Sequence, residues 1–227
     1  KQNTHVEWLQ HIEHLKAEHP SLRIPESDRL MGQHVVKALS DVTKGEAIIT
    51  TGVGQHQMWA AQHYQFKNAN SWLSSGGAGT MGYEVPSAIG AQVGNPDKLI
   101  WSICGDGGFQ MTMMELATAV ENNLPVKYAI LNNNHLGMIT QWQDFFYGGD
   151  FQAETYTANP DFVKLAEAYG MKGIRVTKQD ELETAIAEAN AYDGPVIVDF
   201  VIEKVDDLYP MIPAGQSIEE LIDEPNQ

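Results

Sequence analysis

Six short apolar runs, each followed or preceded by a stretch with helical periodicity, constrain this chain more than any other feature. The runs are Ala47–Thr51, Ser71–Ser74, Leu99–Cys104, Val126–Asn132, Gly173–Val176 and Val196–Ile202. Most are near-continuous rather than alternating, the pattern of parallel strands covered on both faces. Strand–helix alternation supplies the crossovers that parallel strands need. The expected fold is therefore α/β: a doubly wound, mainly parallel sheet of about six strands with helices on both faces. Among the helical stretches, Thr112–Glu115 reads as a capping box ahead of a stripe of Ala117, Val120 and Leu124. Asn159 and Pro160 read as an N-cap and first-turn proline before Phe162, Leu165, Ala166 and Tyr169. Leu182, Ala185, Ile186 and Ala189 form another stripe. Residues 1–28 differ from the rest. Trp8, Ile12 and Leu15 sit at helical spacing before Pro20 and Pro25 break the pattern. This segment is expected to be a lead-in helix and interdomain connector, and 29–227 a single domain.

Charge excludes two classes of partner. Lys and Arg total 14 against 30 Asp and Glu, a net charge of −16, which repels nucleic acid and anionic membranes. No run approaches the ~18 apolar residues of a membrane span. Cys104 is the single cysteine, so no internal disulfide is possible, a reducing compartment is the default, and no chemistry is assigned to it. A cytoplasmic location is the expectation. The chain starts at Lys1 rather than Met, so the missing targeting segment says little.

In doubly wound sheets ligands bind outside the carboxyl ends of the strands. Directly after the third run comes Gly105-Asp106-Gly107-Gly108, with a capped helix expected a few residues later. Three glycines around one aspartate let the backbone turn tightly and come close to a ligand. Free N–H groups and a helix start favour an anion there. Asp106 would repel that anion unless a divalent cation stood between them, and Mg²⁺, a hard ion held by few protein oxygens plus phosphate oxygens, suits the place. The fourth run leads into Asn132-Asn133-Asn134-His135, with Asn133 lying 27 residues after Asp106, room for one helix and one strand. If the two strands are neighbours, a carboxylate and an amide converge. Between Lys98 and Lys164 the single Lys or Arg is Lys127, so cationic side chains cannot supply the charge. A rival reading starts from Gly77-Ala78-Gly79-Thr80-Met81-Gly82, which fits the dinucleotide fingerprint and has Asp106 24 residues beyond it. Pro86 sets the helix start after the last glycine, and a ribose-binding acid has no need of flanking glycines or paired asparagines.

Gly105-Asp106-Gly107 followed at this spacing by Asn132-Asn133 resembles the metal-binding motif of thiamine-diphosphate enzymes. Longer stretches resemble acetohydroxyacid (acetolactate) synthase: 79–82 (GTMG), 86–91 (PSAIGA), 95–98 (NPDK), 109–112 (FQMT), 135–143 (HLGMITQWQ) and 209–213 (YPMIP). The similarity runs from about Asp28 to the end, and residues 1–28 resemble that family's interdomain link. It implies the diphosphate-binding domain of the thiamine-diphosphate fold. Mg²⁺ would be held by Asp106, Asn133 and the backbone carbonyl of His135. Cofactor contacts would come from Val53, Gly54, Gln55, His56, Gly79, Met81, Gly105, Gly107, Gly108, Leu136, Gly137 and Met138. Gln55 and His56 match the diphosphate side; Gly79 and Met81 match the aminopyrimidine side. Met138 and Trp142 would line the substrate channel, with Trp142 favouring 2-ketobutyrate, and Met138 and the tail around Ala214-Gly215 match substrate- and inhibitor-contacting positions. From the residues alone, Met81 is equally a core filler, His56 a helix-start histidine and Trp142 a packing tryptophan. Two positions depart from the family pattern: Glu84 where glycine is frequent, and Gly108 where serine is frequent.

The activity implied is condensation of pyruvate with a second 2-keto acid, pyruvate or 2-ketobutyrate, to acetolactate or 2-aceto-2-hydroxybutyrate in branched-chain amino-acid biosynthesis. The cofactor carries that chemistry. Its activating glutamate is expected from the pyrimidine-binding domain of a partner subunit, since Glu84, Glu115 and Glu121 do not fit by motif. No catalytic residue is therefore assigned to this chain, which alone is expected to be inactive. A dimer or tetramer of catalytic subunits, a small regulatory subunit and FAD are implied for the full-length enzyme only. The alternatives are a sibling carboligase or decarboxylase (glyoxylate carboligase, pyruvate oxidase, a benzoylformate-type decarboxylase), a Rossmann enzyme, or a non-catalytic domain.

Overall fold

Each apolar run becomes a strand within one residue of its expected ends. The computed structural model describes residues 5–18, 24, 26–155, 158–204 and 207–223. In chain order the elements are α1 (Val6–Glu18), α2 (Gly32–Thr43), β1 (Ile48–Thr51), α3 (Gln55–His63), β2 (Trp72–Ser74) and α4 (Glu84–Gly94). There follow β3 (Ile100–Gly105), α5 (Asp106–Thr112), a 3-10 turn at Met113–Glu115, α6 (Leu116–Glu121), β4 (Lys127–Asn132) and α7 (Gly137–Tyr147). The last are α8 (Phe162–Ala168), β5 (Lys172–Val176), α9 (Leu182–Ala191) and β6 (Val196–Val201). Contacts divide the chain into two compact units, Ser27–Asp207 and a smaller one of Lys1–Glu26 with Leu208–Gln227. The smaller unit holds the expected lead-in helix α1 and a short bridge between Met211 and Ile222. Pro20 and Pro25 lie outside the described residues.

The sheet belongs to Ser27–Asp207. Its order is β2-β1-β3-β4-β6-β5 and every pairing is parallel. The chain steps outward from β1 to β2, then returns to the other side of β1 for β3. Strand order thus reverses between β1 and β3, the crevice where open α/β sheets bind ligands. Helices α4, α5, α6 and α8 cover one face, sharing a core with Ile100, Cys104, Tyr128, Ile130 and Ile197. Phe109 sits at its centre, edge-on to Tyr128 at 6.1 Å and to Phe162 at 5.7 Å, geometries that favour each ring's quadrupole. On the other face α2 packs on α3 and α9, and buried Trp101 donates its Nε1–H to Asn190 of α9 at 2.9 Å.

Two helix starts differ from expectation. The capping box at Thr112–Glu115 does not form: the helix begins earlier, at Asp106, and the Thr112 hydroxyl donates to the Gly82 carbonyl at 2.7 Å. The stripe shifts with it, so that Leu116 and Ala119 are buried and Ala117 is exposed. Asn159 does not cap α8. Asp161 does, its carboxylate accepting from the backbone N–H of Val163 and Lys164. Tertiary partners outrank the local pattern in both places.

Candidate functional site

The carboxyl ends of β1, β3 and β4 open into one cleft of about 220 Å³. That is several times the ~30 Å³ share of a water molecule, so it is a ligand-sized space. After β1 it is lined by Val53, Gly54, Gln55 and His56; after β3 by Gly105, Asp106, Gly107 and Gly108; after β4 by Asn133, His135, Leu136, Gly137 and Met138. Gly79 and Met81 from the loop before α4 complete it. Every residue read from the sequence as a cofactor or metal contact therefore reaches this one cleft. Trp142 does not line it. One turn along α7, it is 39% exposed and packs edge-on against Phe146 at 5.5 Å.

Asp106 directly follows β3 and starts α5, so its carboxylate is held from two directions. It accepts from its neighbour Gly107 N at 2.8 Å, from Asn134 N in the loop after β4 at 2.8 Å, and from Asn159 Nδ2 at 2.7 Å. Strand register makes the second bond possible, because Gly105 and Leu131 pair side by side. Asn133 sits next to that donor, its Oδ1 accepting from His135 N at 3.1 Å, which leaves a lone pair for another ligand. Burial pushes Asp106 up to about 6, against the pull of the bonds from Asn159, Asn134 and Gly107. Among the described residues no ion pair reaches it. An ionised, buried carboxylate without a cation is unfavourable, so the site fits an added positive ion. No three His, Cys, Asp or Glu side chains cluster among the described residues. A cation here would meet one carboxylate, an amide and carbonyl oxygens, the donor set of Mg²⁺ rather than of Zn²⁺.

Glycine is required on the opposite wall. A Cβ on Gly137 would stand 2.0 Å from Gln55 Oε1, and Gln55 is itself fixed, its Nε2 donating to Gln141 Oε1 at 3.0 Å. Gln141, fully buried within α7, was not legible as a site residue; nor was Asn159, which binds Asp106 from 53 positions away and also meets Gln110 Nε2 at 3.0 Å. Trp59, Leu131 and Ile139 are further lining residues missed from sequence. The dinucleotide reading fails on topology. The glycine segment follows β2, an edge strand whose one neighbour is β1, while Asp106 follows β3 on the far side of β1. A ribose-binding acid belongs at the tip of the adjoining strand.

Comparison with known proteins agrees with this geometry. Residues 52–200 match the family described as thiamine pyrophosphate enzyme, C-terminal TPP binding domain. The acetolactate synthase catalytic subunit of Saccharomyces cerevisiae, a mitochondrial protein, is 46% identical over 95% of this chain and 32% of its own length. The chloroplastic acetolactate synthase 1 of Nicotiana tabacum is 43% identical over 96% of the chain and 34% of its length. The acetolactate synthase large subunit of Corynebacterium glutamicum is 46% identical over 93% and 35% respectively. The chain thus spans about a third of the length of these relatives. No helix among the described residues is long and apolar enough to cross a membrane.

Proposed function

The chain belongs to the thiamine pyrophosphate enzymes, through their C-terminal TPP binding domain, and from that membership we propose that its cleft holds thiamine diphosphate through a magnesium ion. The observation that supports this most is the meeting of a buried carboxylate, Asp106, and an amide, Asn133, on one cleft without a cationic partner. In this reading the side-chain oxygens of Asp106 and Asn133 and the backbone carbonyl of His135 hold the ion. Val53, Gly54, Gln55, His56, Gly105, Gly107 and Gly108 surround the diphosphate. Gly79 and Met81 receive the pyrimidine side, and Leu136, Gly137 and Met138 close the facing wall.

Thiamine diphosphate, when bound, supplies the stabilised carbanion chemistry needed beside a keto carbon. The residues of this chain bind, orient and exclude water. Asp106 and Asn133 anchor, Gln55 braced by Gln141 shapes the wall, and none is assigned a proton transfer at the reacting carbon. For the whole enzyme the proposed activity is that of an acetolactate synthase: pyruvate condensed with pyruvate or 2-ketobutyrate. The activating glutamate is proposed to come from the pyrimidine-binding domain of a partner catalytic subunit in a dimer or tetramer. FAD and a small regulatory subunit belong to the same proposal.

Calorimetry on the purified chain tests the first step. Thiamine diphosphate should bind with Mg²⁺ and fail to bind in EDTA; equal affinity in both would overturn the metal-bridged reading. The chain alone should form no acetolactate from pyruvate, and turnover should appear once a pyrimidine-binding half is added. Acetolactate from the chain alone, at a rate near that of an intact synthase, would refute the shared site.

A further inference from the structure

His56, which lines the cleft, has a buried acidic neighbour, Glu84, that the proposed function does not use. Glu84, in the first turn of α4, is fully buried, and neither carboxyl oxygen has a hydrogen-bond partner. His56, in the first turn of α3, is 5% exposed, and its Nε2 also lacks a partner. The two face each other, Nε2 to Oε1, at 4.0 Å. Hydroxyl groups around Glu84 do not serve its carboxyl group: Thr50 and Ser102 donate to its backbone carbonyl at 3.0 Å, and Ser87 does so at 3.1 Å. The space the carboxyl group fills exists because two neighbours are glycine. A Cβ on Gly52 would stand 1.9 Å from Oε2, and one on Gly108 would stand 2.4 Å from Oε1. Glu84 and Gly108, the two positions that depart from the family pattern, are therefore in contact. The other edge of the imidazole faces the ligand side. Nδ1 lies 3.0 Å from where a Cβ of Gly54 would be and 2.9 Å from that of Gly105, and both glycines line the cleft.

We propose that Glu84 is a positioning residue for His56: its carboxyl O–H donates to Nε2, which fixes the imidazole as the Nδ1–H tautomer and presents that N–H toward the cleft. The pair closes from 4.0 Å to hydrogen-bond length by side-chain rotation, satisfying two buried groups at once. Burial favours the neutral form of each partner. It lifts Glu84 to about 7, the nearby backbone N–H groups of Glu84 and Gly82 pulling the other way without reaching hydrogen-bond geometry, and it lowers His56 to about 4. A neutral acid beside a neutral imidazole has one proton to give and one nitrogen to receive it. The ligand to which Nδ1–H would donate is the anionic end of thiamine diphosphate, and in that respect the inference rests on the proposed function.

The test is nitrogen NMR on the chain labelled at histidine, with the His56 signals assigned by their loss in His56→Asn. Without any ligand, His56 in the unsubstituted chain should show a protonated Nδ1 and an unprotonated Nε2. Glu84→Gln, whose amide still donates, should keep that pattern, and Glu84→Leu should lose it. Thiamine diphosphate affinity with Mg²⁺ should fall about tenfold in Glu84→Leu and recover in Glu84→Gln, as for loss of one hydrogen bond. An Nε2–H pattern in the unsubstituted chain, which needs no variant to fold, would overturn the inference. So would an unchanged pattern in a folded Glu84→Leu chain. If the tautomer is as expected but the cofactor binds nowhere, the pair stands and the cofactor reading falls.

Discussion

Asp106→Asn should separate the stability of the fold from its capacity to hold a cation. The native carboxylate accepts three hydrogen bonds, from Gly107 N, Asn134 N and Asn159 Nδ2. Burial outweighs them, since the group is raised from an ordinary 3.8 to about 6. Above that pH its ionised form therefore costs the fold about 3 kcal/mol relative to the unfolded chain. Asparagine removes this cost but turns one acceptor into a donor that faces Gly107 N–H or Asn134 N–H. A buried donor so mismatched costs about 1–3 kcal/mol. The two effects nearly cancel, so at pH ~8 without ligand the variant should unfold within about 2 kcal/mol of the native chain. Ligand should split them. With Mg²⁺ and thiamine diphosphate at about one hundred times Kd, the native chain should gain about 2.7 kcal/mol, a rise of roughly 5–10 °C in Tm for a domain of this size. Asp106→Asn should show no rise. Scanning calorimetry with and without ligand reads both halves. An equal rise in the variant would remove Asp106 from the cation site. A ligand-free variant weaker by more than about 4 kcal/mol would refute the offset between desolvation and lost hydrogen bonds.

Two further outcomes are expected. Glu84 is raised from 4.5 to about 7, so its contribution is present below pH ~4.5 and is lost as pH rises through 7. His56 is lowered from 6.5 to about 4, so its contribution is present above pH ~6.5 and is lost as pH falls through 4. Glu84→Gln should therefore match the native chain near pH ~4.5 and exceed it by up to about 3 kcal/mol near pH ~8; thermal unfolding across that range showing a constant gap would contradict this sign. Trp142→Leu, at a position 39% exposed, should leave stability nearly unchanged. In the assembled enzyme it should shift the acceptor preference from 2-ketobutyrate toward pyruvate by roughly tenfold, and an unchanged product ratio would end that role.

Strands and site tips were legible because their signals are local. A strand covered on both faces must be apolar at every position, and β3 and β4 are buried almost throughout. Asp106 stood out as an acid flanked by glycines at a strand end. The same glycines misled about the helix. They read as a turn, yet Gly107 and Gly108 lie buried in the first turn of α5. Gly108 lacks a side chain because the Glu84 carboxyl group occupies its place, a fact about α4 that nothing near Gly108 encodes. Asn159 was assigned the role of a cap, for which its residue type is suited, but its amide is committed to Asp106 and Asn132. Gln141 belongs with it. A polar side chain inside a helix gives no sequence sign that a glutamine 86 positions earlier will meet it.

Those nonlocal contacts explain how adjacent asparagines take different duties. Successive side chains of a strand leave on opposite sides, so at the tip of β4 Asn133 turns to the cleft while Asn132 turns away from it. Asn132 accepts from Asn159 at 3.1 Å and donates to Asp199 Oδ1 at 2.9 Å. Asp199 in turn accepts from Arg175 Nε at 3.0 Å, and Arg175 also donates to Asp161 at 2.6 Å, the residue that caps α8. A continuous polar chain thus runs from Asp106 through Asn159, Asn132, Asp199 and Arg175 to a helix start. It holds the Asp106 carboxylate in place before any ligand arrives, as a preorganised site requires. Its one cation, Arg175, is already shared between Asp199 and Asp161. Among the described residues no ion pair reaches Asp106 itself, so an anionic ligand that meets this carboxylate is best matched by a cation it brings with it.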